Sequence, residues 1–270
     1  RDDNAQGEFY LTDVISVAVG EGVPVVGVSV AESNEVLGIN DRVQLAAAER
    51  VLQRRYALEV MAQGATLADP GRFDLRGKLT VGRDVFIDVG AVFTGDVVLG
   101  DRVRIGSNSA VSDSSLGEDC LVHEHCVIDG VVAGASCEIG PFARLRPGTE
   151  FQERVKVGNF VEVKASNVAP GSKMNHLSYV GDTSVGRDVN VGAGTITCNY
   201  DGAAKHRTQI GDEVFVGSGV MLVAPLEVGA GATIAAGSTI TKNVPGEALA
   251  VGRNRQSTVK GWKRPTKTSK

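Results

Sequence analysis

Met174-Asn175-His176-Leu177-Ser178-Tyr179-Val180-Gly181-Asp182 concentrates more potential chemistry than any other stretch of this 270-residue chain. An imidazole, whose ordinary pKa lies near 6.5, can take a proton from a substrate ammonium at neutral pH, and a carboxylate beside it would raise its basicity. A lone histidine is more often structural than catalytic, so the case for His176 as a general base rests on its surroundings. Arg146, Glu162 and Lys164 lie upstream, Tyr179 and Asn190 downstream. Arg146 and Lys164 can hold a phosphate. A base beside a phosphate holder suits proton removal from an amine on a small phosphorylated molecule.

Two other groupings carry weaker signals. Cys120-Leu121-Val122-His123-Glu124-His125-Cys126 contains zinc-ligand types. Read as a strand, it puts His123 and His125 on one face and Cys126 on the other, so the set cannot close around one ion without a bulge. Gly192-Ala193-Gly194, Gly217-Ser218-Gly219 and Gly229-Ala230-Gly231 look like pieces of nucleotide loops. None opens a helix after a strand within a βαβ unit, so they read as backbone corners whose N–H groups can line a narrow groove.

The element that must position these residues is written in the spacing. Val81, Ile87, Phe93, Leu99, Ile105 and Val111 recur every six residues, as do Ile139, Leu145, Phe151, Val157 and Val163. A third run goes from Ile210 through Val216, Leu222, Val228 and Ile234 to Ile240. This is the hexapeptide pattern of a parallel β-helix, with one bulky side chain inward per face and small residues at the corners. With about 18 residues per coil, residues 79–246 would make about nine coils, beginning near Leu79. The register breaks near residues 112–138 and again over 198–209, where a polar stretch reads as an ejected loop carrying binding groups or as a tolerated insertion.

Ahead of the coils, Asn40 or Asp41 can cap a long helix, with Gln44 completing a capping box and Gly64 ending it. About 22 such residues would form an arm of about 33 Å. Before it, Val14–Val19 reads as a helix and Val23–Val30 as a buried strand at the edge of an α/β layer. The 34 glycines and low 5% aromatic content suit a thin aliphatic core with many corners. A net charge of −4 gives no general case for nucleic acid or an anionic membrane, and the sparse cysteines suit a reducing compartment, the cytoplasm by default. No run is long and apolar enough for a membrane span. The chain opens at Arg1 without a methionine and reads as a piece of a longer protein; residues 251–270 form a basic tail with no acid.

The segments Glu8-Phe9-Tyr10-Leu11-Thr12-Asp13, Gly38-Ile39-Asn40-Asp41-Arg42, Gly140-Pro141-Phe142-Ala143-Arg144-Leu145-Arg146-Pro147-Gly148, Val157–Lys164, the His176 motif and Asn190–Gly202 resemble one family in this order. It is the bacterial bifunctional N-acetylglucosamine-1-phosphate uridylyltransferase/glucosamine-1-phosphate acetyltransferases. The resemblance covers essentially the whole chain. It implies a mainly β fold: a left-handed parallel β-helix with a C-terminal tail over residues 67–270, a linker helix over 40–66, and the C-terminal remnant of an α/β nucleotidyltransferase domain over 1–39. It also implies a cytoplasmic homotrimer with acetyl-transfer sites between subunits.

By the same resemblance His176 matches the general base and Glu162 the residue that orients it. Arg146, Lys164, Tyr179 and Asn190 match positions holding the amino-sugar phosphate. Ala193 matches a backbone contact beside the acetyl group, and Asn199, Tyr200, Ser218, Ala236 and Arg253 match contacts to acetyl-CoA. Asn40 matches an asparagine that helps an aspartate hold Mg²⁺ for uridylyl transfer, although the aspartate and the Gly-rich loop are absent from this chain. The implied activity is acetyl transfer from acetyl-CoA to glucosamine-1-phosphate. In the full-length protein, uridylyl transfer would follow, giving UDP-N-acetylglucosamine for peptidoglycan and lipopolysaccharide. Asn175 and Ser178 depart from the usual form of the motif. Two other classes stand beside this one: a zinc hydratase of the carbonic anhydrase type, drawing on His123, His125, His176 and His206, and a non-catalytic trimerisation scaffold.

Overall fold

A bulky residue every sixth position demands a chain that turns a corner every six residues. The computed structural model, which describes residue 5 and residues 7–264, contains such a chain from Ala65 to Ala250. Short parallel strands wind into a three-faced β-helix. Eleven of them, from Ala65–Leu67 to Leu249–Ala250, stack on the first face and mark ten turns. The second and third faces belong to one 17-stranded sheet, because Asp74–Val81 and Val92–Leu99 run through the corner between them. They bend at Gly77 and Gly95, where φ is +153° and +67°.

The hexad residues fill the interior. Leu145 is completely buried, in register between Ile128 on one coil and Val163 on the next. Its neighbours are pinned by backbone ladders and cannot collapse onto a gap, so Leu145→Ala is expected to cost about 2–5 kcal/mol. Urea denaturation followed by circular dichroism reads that loss directly; a cost below about 1 kcal/mol would mean the interior is looser than its burial implies.

Of the two breaks in the hexad, the first does not exist in space. The coils continue through residues 112–138, but the corner at Asp113, with φ +44°, uses one residue fewer. The coil repeat drops from 18 residues, as between Arg83 and Asp101, to 17, as between Ser109 and Cys126. The same tightened corner recurs at Gly130, Ala165 and Asp182, each with φ between +45° and +60°. The second break is real. Thr183 pairs with Thr208, and Arg187 reaches Asp212, 25 residues on, so residues 199–207 leave the coil as a loop.

The coils also begin earlier than the hexad run, at Ala65 rather than Leu79. Helix α2 (Arg42–Ala62) precedes them. Its start is a capping exchange: Asp41 Oδ1 accepts from the Gln44 N–H at 2.8 Å, and Gln44 Oε1 accepts from the Asn40 N–H at 2.7 Å. Gly64, with φ +116°, follows its end. The chain divides into compact units of residues 1–51 and 52–270, with the boundary inside α2. Within the second unit, buried Gln53 exchanges two hydrogen bonds with the Leu75 backbone, at 2.8 and 2.7 Å, docking the second half of α2 on the first coil.

The first unit holds helix α1 (Asp13–Gly20) and a single 3-10 turn, Ser33–Val36. Val23–Val30, expected as a buried strand, is irregular and exposed. Its β-branched composition favours a strand, but a strand also needs a neighbour for its N–H and C=O groups. Among the described residues of this unit there is none. No helix of the described residues is long and apolar enough to cross a membrane. Lys267 and Lys270 of the basic tail lie outside the described residues.

Candidate functional site

His176 ends the first-face strand Lys173–His176, where the chain turns through Leu177, φ +51°, towards the second-face strand Tyr179–Gly181. The imidazole is exposed, and its Nδ1 donates to Asn159 Oδ1 at 2.7 Å. Nε2 therefore presents its lone pair. Glu162, expected to orient the ring, does not do so within the chain. It lies past the corner on the second face, in register with Tyr179, and accepts from Arg146 Nη1 at 2.8 Å.

From His176 a line of corner residues runs down successive coils. The His176 carbonyl accepts from Gly194 N–H at 3.3 Å, that of Ala193 from Gly219 at 2.7 Å, and that of Ser218 from Gly237 at 2.8 Å. Arg253 closes the line, its Nη1 donating to the Ala236 carbonyl at 2.5 Å. Four coil steps at about 4.8 Å put roughly 19 Å between His176 and Arg253. Glycines keep the line bare: a Cβ on Gly192 would stand 2.7 Å from the Ser218 nitrogen, and one on Gly217 2.5 Å from that of Ala236. Ala193, Ser218, Ala236 and Arg253 thus share one edge with the base, as the corner reading of the glycine triplets expects.

Around the corner, the second face carries a polar cluster. Lys164 Nζ faces Asp182 at 3.6 Å. Asp182 also accepts from Asn199 Nδ2, which reaches the Tyr179 hydroxyl at 3.4 Å. Gly181 leaves room for this: a Cβ there would stand 2.4 Å from the Tyr179 hydroxyl. Lys205, from the ejected loop, lies against Lys164. Donation to Lys205, and then the charge of Asp182, hold the Lys164 ammonium above the usual lysine range. Lys205 is held below it by Lys164, and the nearby Arg146 charge adds to the effect. Three cationic side chains therefore converge on one small region with two acids nearby.

The loop that supplies Lys205 is stapled by Asp201. Its Oδ1 accepts from the Ala203 and Ala204 N–H groups at 2.8 and 2.7 Å, and its Oδ2 lies 2.7 Å from His206 Nε2. These partners, the Ala204 N–H foremost, hold the Asp201 carboxyl far below the usual carboxylate range. Exposed Tyr200 donates to the Gly202 carbonyl at 2.6 Å in the same loop.

Sequence reasoning missed Asn159, Asp182 and Lys205. One coil repeat back from His176 lands on Asn159, and Lys205 lies inside a loop already singled out for binding, so both signals were present. Asn190 behaves differently from its expected companions. It starts the first-face strand Asn190–Val191, between Lys173 and Phe215, on another face from Arg146, Lys164 and Tyr179. Asn199 is buried in the second-face cluster, away from the Ala193–Arg253 line.

The possible metal groups part company in space. Cys120 and Cys126 are interior core residues, and burial pushes the Cys126 thiol up to about 11, away from the thiolate a zinc ligand must be. His123 and His125 do not share a face: His125 sits at a corner, φ +59°, stacked 5.0 Å from the Phe142 ring, whereas His123 bonds Glu138 at 3.1 Å. Asn40 has its backbone N–H tied to Gln44, and no cluster of three acids, histidines or cysteines among the described residues suits a metal ion.

Comparison with known proteins follows the same geometry. Residues 75–176 match the GMPPB C-terminal domain, and residues 207–242 match the bacterial transferase hexapeptide repeat. A bifunctional protein GlmU from Alkalilimnicola ehrlichii is 60% identical over 263 residues, covering 97% of this chain and 57% of the relative. The chain belongs to the bifunctional GlmU family. The GlmU of Methylococcus capsulatus is 55% identical over 271 residues, covering 100% of this chain and 59% of the relative. The chain thus spans less than two thirds of the length of these GlmU relatives. The solenoid is shared with the Francisella novicida UDP-N-acetylglucosamine acyltransferase structure, at TM-score 0.52 and 16% identity over 69% of this chain and 67% of that one, a likeness of fold alone. The family resemblance and the hexapeptide β-helix expected from the motifs are both borne out.

Proposed function

We propose that this chain transfers the acetyl group of acetyl-CoA to the amino group of glucosamine-1-phosphate. The observation that carries this reading is an imidazole with its Nε2 lone pair presented at the head of a bare-backbone line ending in Arg253, with the Arg146, Lys164 and Lys205 cluster around the corner on the next face. Nε2 takes a proton from the amino sugar as its nitrogen attacks the thioester carbonyl. The carbon–nitrogen bond forms, the carbon–sulfur bond breaks, and the departing thiolate takes the proton back from the imidazolium. The Ala193 N–H lies on the coil after His176 and stabilises the developing oxyanion. Arg146, Lys164 and Lys205 hold the sugar phosphate, with Tyr179 and Asn190 on the sugar. Ser218, Ala236 and Arg253 hold acetyl-CoA along the edge, aided by Tyr200 and by Asn199 through the loop.

A second copy completes the site. Asn190 and the Arg146–Lys164 cluster sit on different faces of one solenoid, so a single amino-sugar phosphate reaches both only across a subunit boundary; a homotrimer supplies three such clefts. A monomer with full activity by light scattering would remove this part of the reading. The full-length protein also transfers UMP from UTP, with Mg²⁺, to give UDP-N-acetylglucosamine for cell-wall and lipopolysaccharide synthesis. The four unpaired thiols of this chain suit a reducing compartment such as the cytoplasm.

The test is release of free thiol from acetyl-CoA with no uridine nucleotide or metal added. Release that requires glucosamine-1-phosphate supports acetyl transfer. A folded protein that releases none with any amino-sugar phosphate leaves a scaffold.

A further inference from the structure

We infer that Asn159 is a positioning residue that fixes the tautomer and orientation of His176. This rests on the acetyl-transfer reading for its consequence, though not for its geometry. Asn159 and His176 are direct partners in the ladder between Lys156–Asn159 and Lys173–His176. Their side chains leave neighbouring coils at the same corner and meet at 2.7 Å. An amide oxygen can only accept, so the Nδ1 it faces must carry the proton, and Nε2 is left with a lone pair on the open side.

The amide is held where it stands. The Leu177 N–H donates to the Asn159 carbonyl at 3.1 Å, locking the two corners together. Gly158 lets the coils approach, because a Cβ there would lie 2.0 Å from the Asn175 carbonyl oxygen. On the other side Phe160 takes the left-handed corner conformation, φ +55°, and stacks 5.2 Å from Phe142, which in turn stacks on His125. Among the described residues exposed His176 has no other side-chain hydrogen-bond partner, and Glu162 is engaged by Arg146. Without Asn159 the ring would divide its time between tautomers and rotamers, and only one combination aims Nε2 at an acceptor amine.

The experiment is ¹⁵N nuclear magnetic resonance of histidine-labelled protein in mildly alkaline buffer, with His176→Ala assigning one of the four histidines. In the unsubstituted protein His176 should show a protonated Nδ1 and a bare Nε2. In Asn159→Leu the two nitrogens should move towards averaged shifts, kcat should fall about 10–100-fold, and both KM values should stay within about twofold. A wild-type spectrum with the proton on Nε2 overturns the inference whether or not the leucine variant folds. So does a folded leucine variant that keeps both tautomer and kcat. Acetyl transfer with the wrong tautomer would remove the role of Asn159; the stated tautomer without acetyl transfer would remove the activity and leave the hold on the ring intact.

Discussion

Replacing His176 with alanine is expected to lower kcat for acetyl transfer by about 10²–10⁴-fold, the range for loss of a positioned general base. The fold should survive. The imidazole is exposed, and its single side-chain hydrogen bond goes to Asn159, itself at the surface edge. The KM for acetyl-CoA should barely change, because Ser218, Ala236 and Arg253 lie on later coils whose ladders do not involve the imidazole. The defect should also narrow as the pH rises, since an amino sugar that has already lost its ammonium proton needs the base only for the second proton, shed as the nitrogen attacks. Thiol release measured from neutral to alkaline pH reads both effects. A variant within about threefold of wild type at neutral pH would mean the amine is deprotonated elsewhere.

Much of this arrangement can be read from the chain, for a physical reason. A β-helix is quasi-one-dimensional, so its contacts follow a fixed offset and the hexad reports the core directly. Where the offset changes, reading fails. The residues after Val111 look like a break because Asp113 turns its corner one residue early, and a left-handed aspartate has no period of its own to reveal it. Glu162 illustrates the same weakness at the site. It is close to His176 in sequence terms and chemically apt, but a corner lies between their faces, and the true partner stands one coil back at Asn159. Val23–Val30 fails differently: its composition is that of a strand, and composition says nothing about whether a neighbouring strand exists to pair with it. The loop over 198–209 was legible as a loop, but its internal staple, Asp201 with His206, and its delivery of Lys205 beside Lys164 depend on how the excursion folds back.

That delivery sets up the second large effect. Lys164 and Asp182 are mostly covered, with 18% and 19% of their side chains exposed, and Lys205 completes a group whose cations outnumber its acids. Two neighbouring lysine amines are an awkward pair in the absence of an anion, which is why Lys205 is held below the usual lysine range; a phosphate dianion between them relieves that repulsion and lets both carry charge. Lys164→Ala should therefore raise the KM for glucosamine-1-phosphate by about 10–100-fold, corresponding to about 1.5–3 kcal/mol for a charge-assisted hydrogen bond. It leaves Asp182 without its lysine and facing the incoming phosphate, which adds to the loss. The KM for acetyl-CoA should hold, and kcat should change little, because the phosphate takes no part in the bonds made and broken and is bound equally before and during the chemistry. The remaining affinity should also depend less steeply on salt, with one charge fewer to screen. Initial rates over a matrix of both substrates separate the alternatives. If kcat falls while KM for the amino sugar stays fixed, Lys164 serves the reacting centre, and the phosphate must be held by another part of the surface.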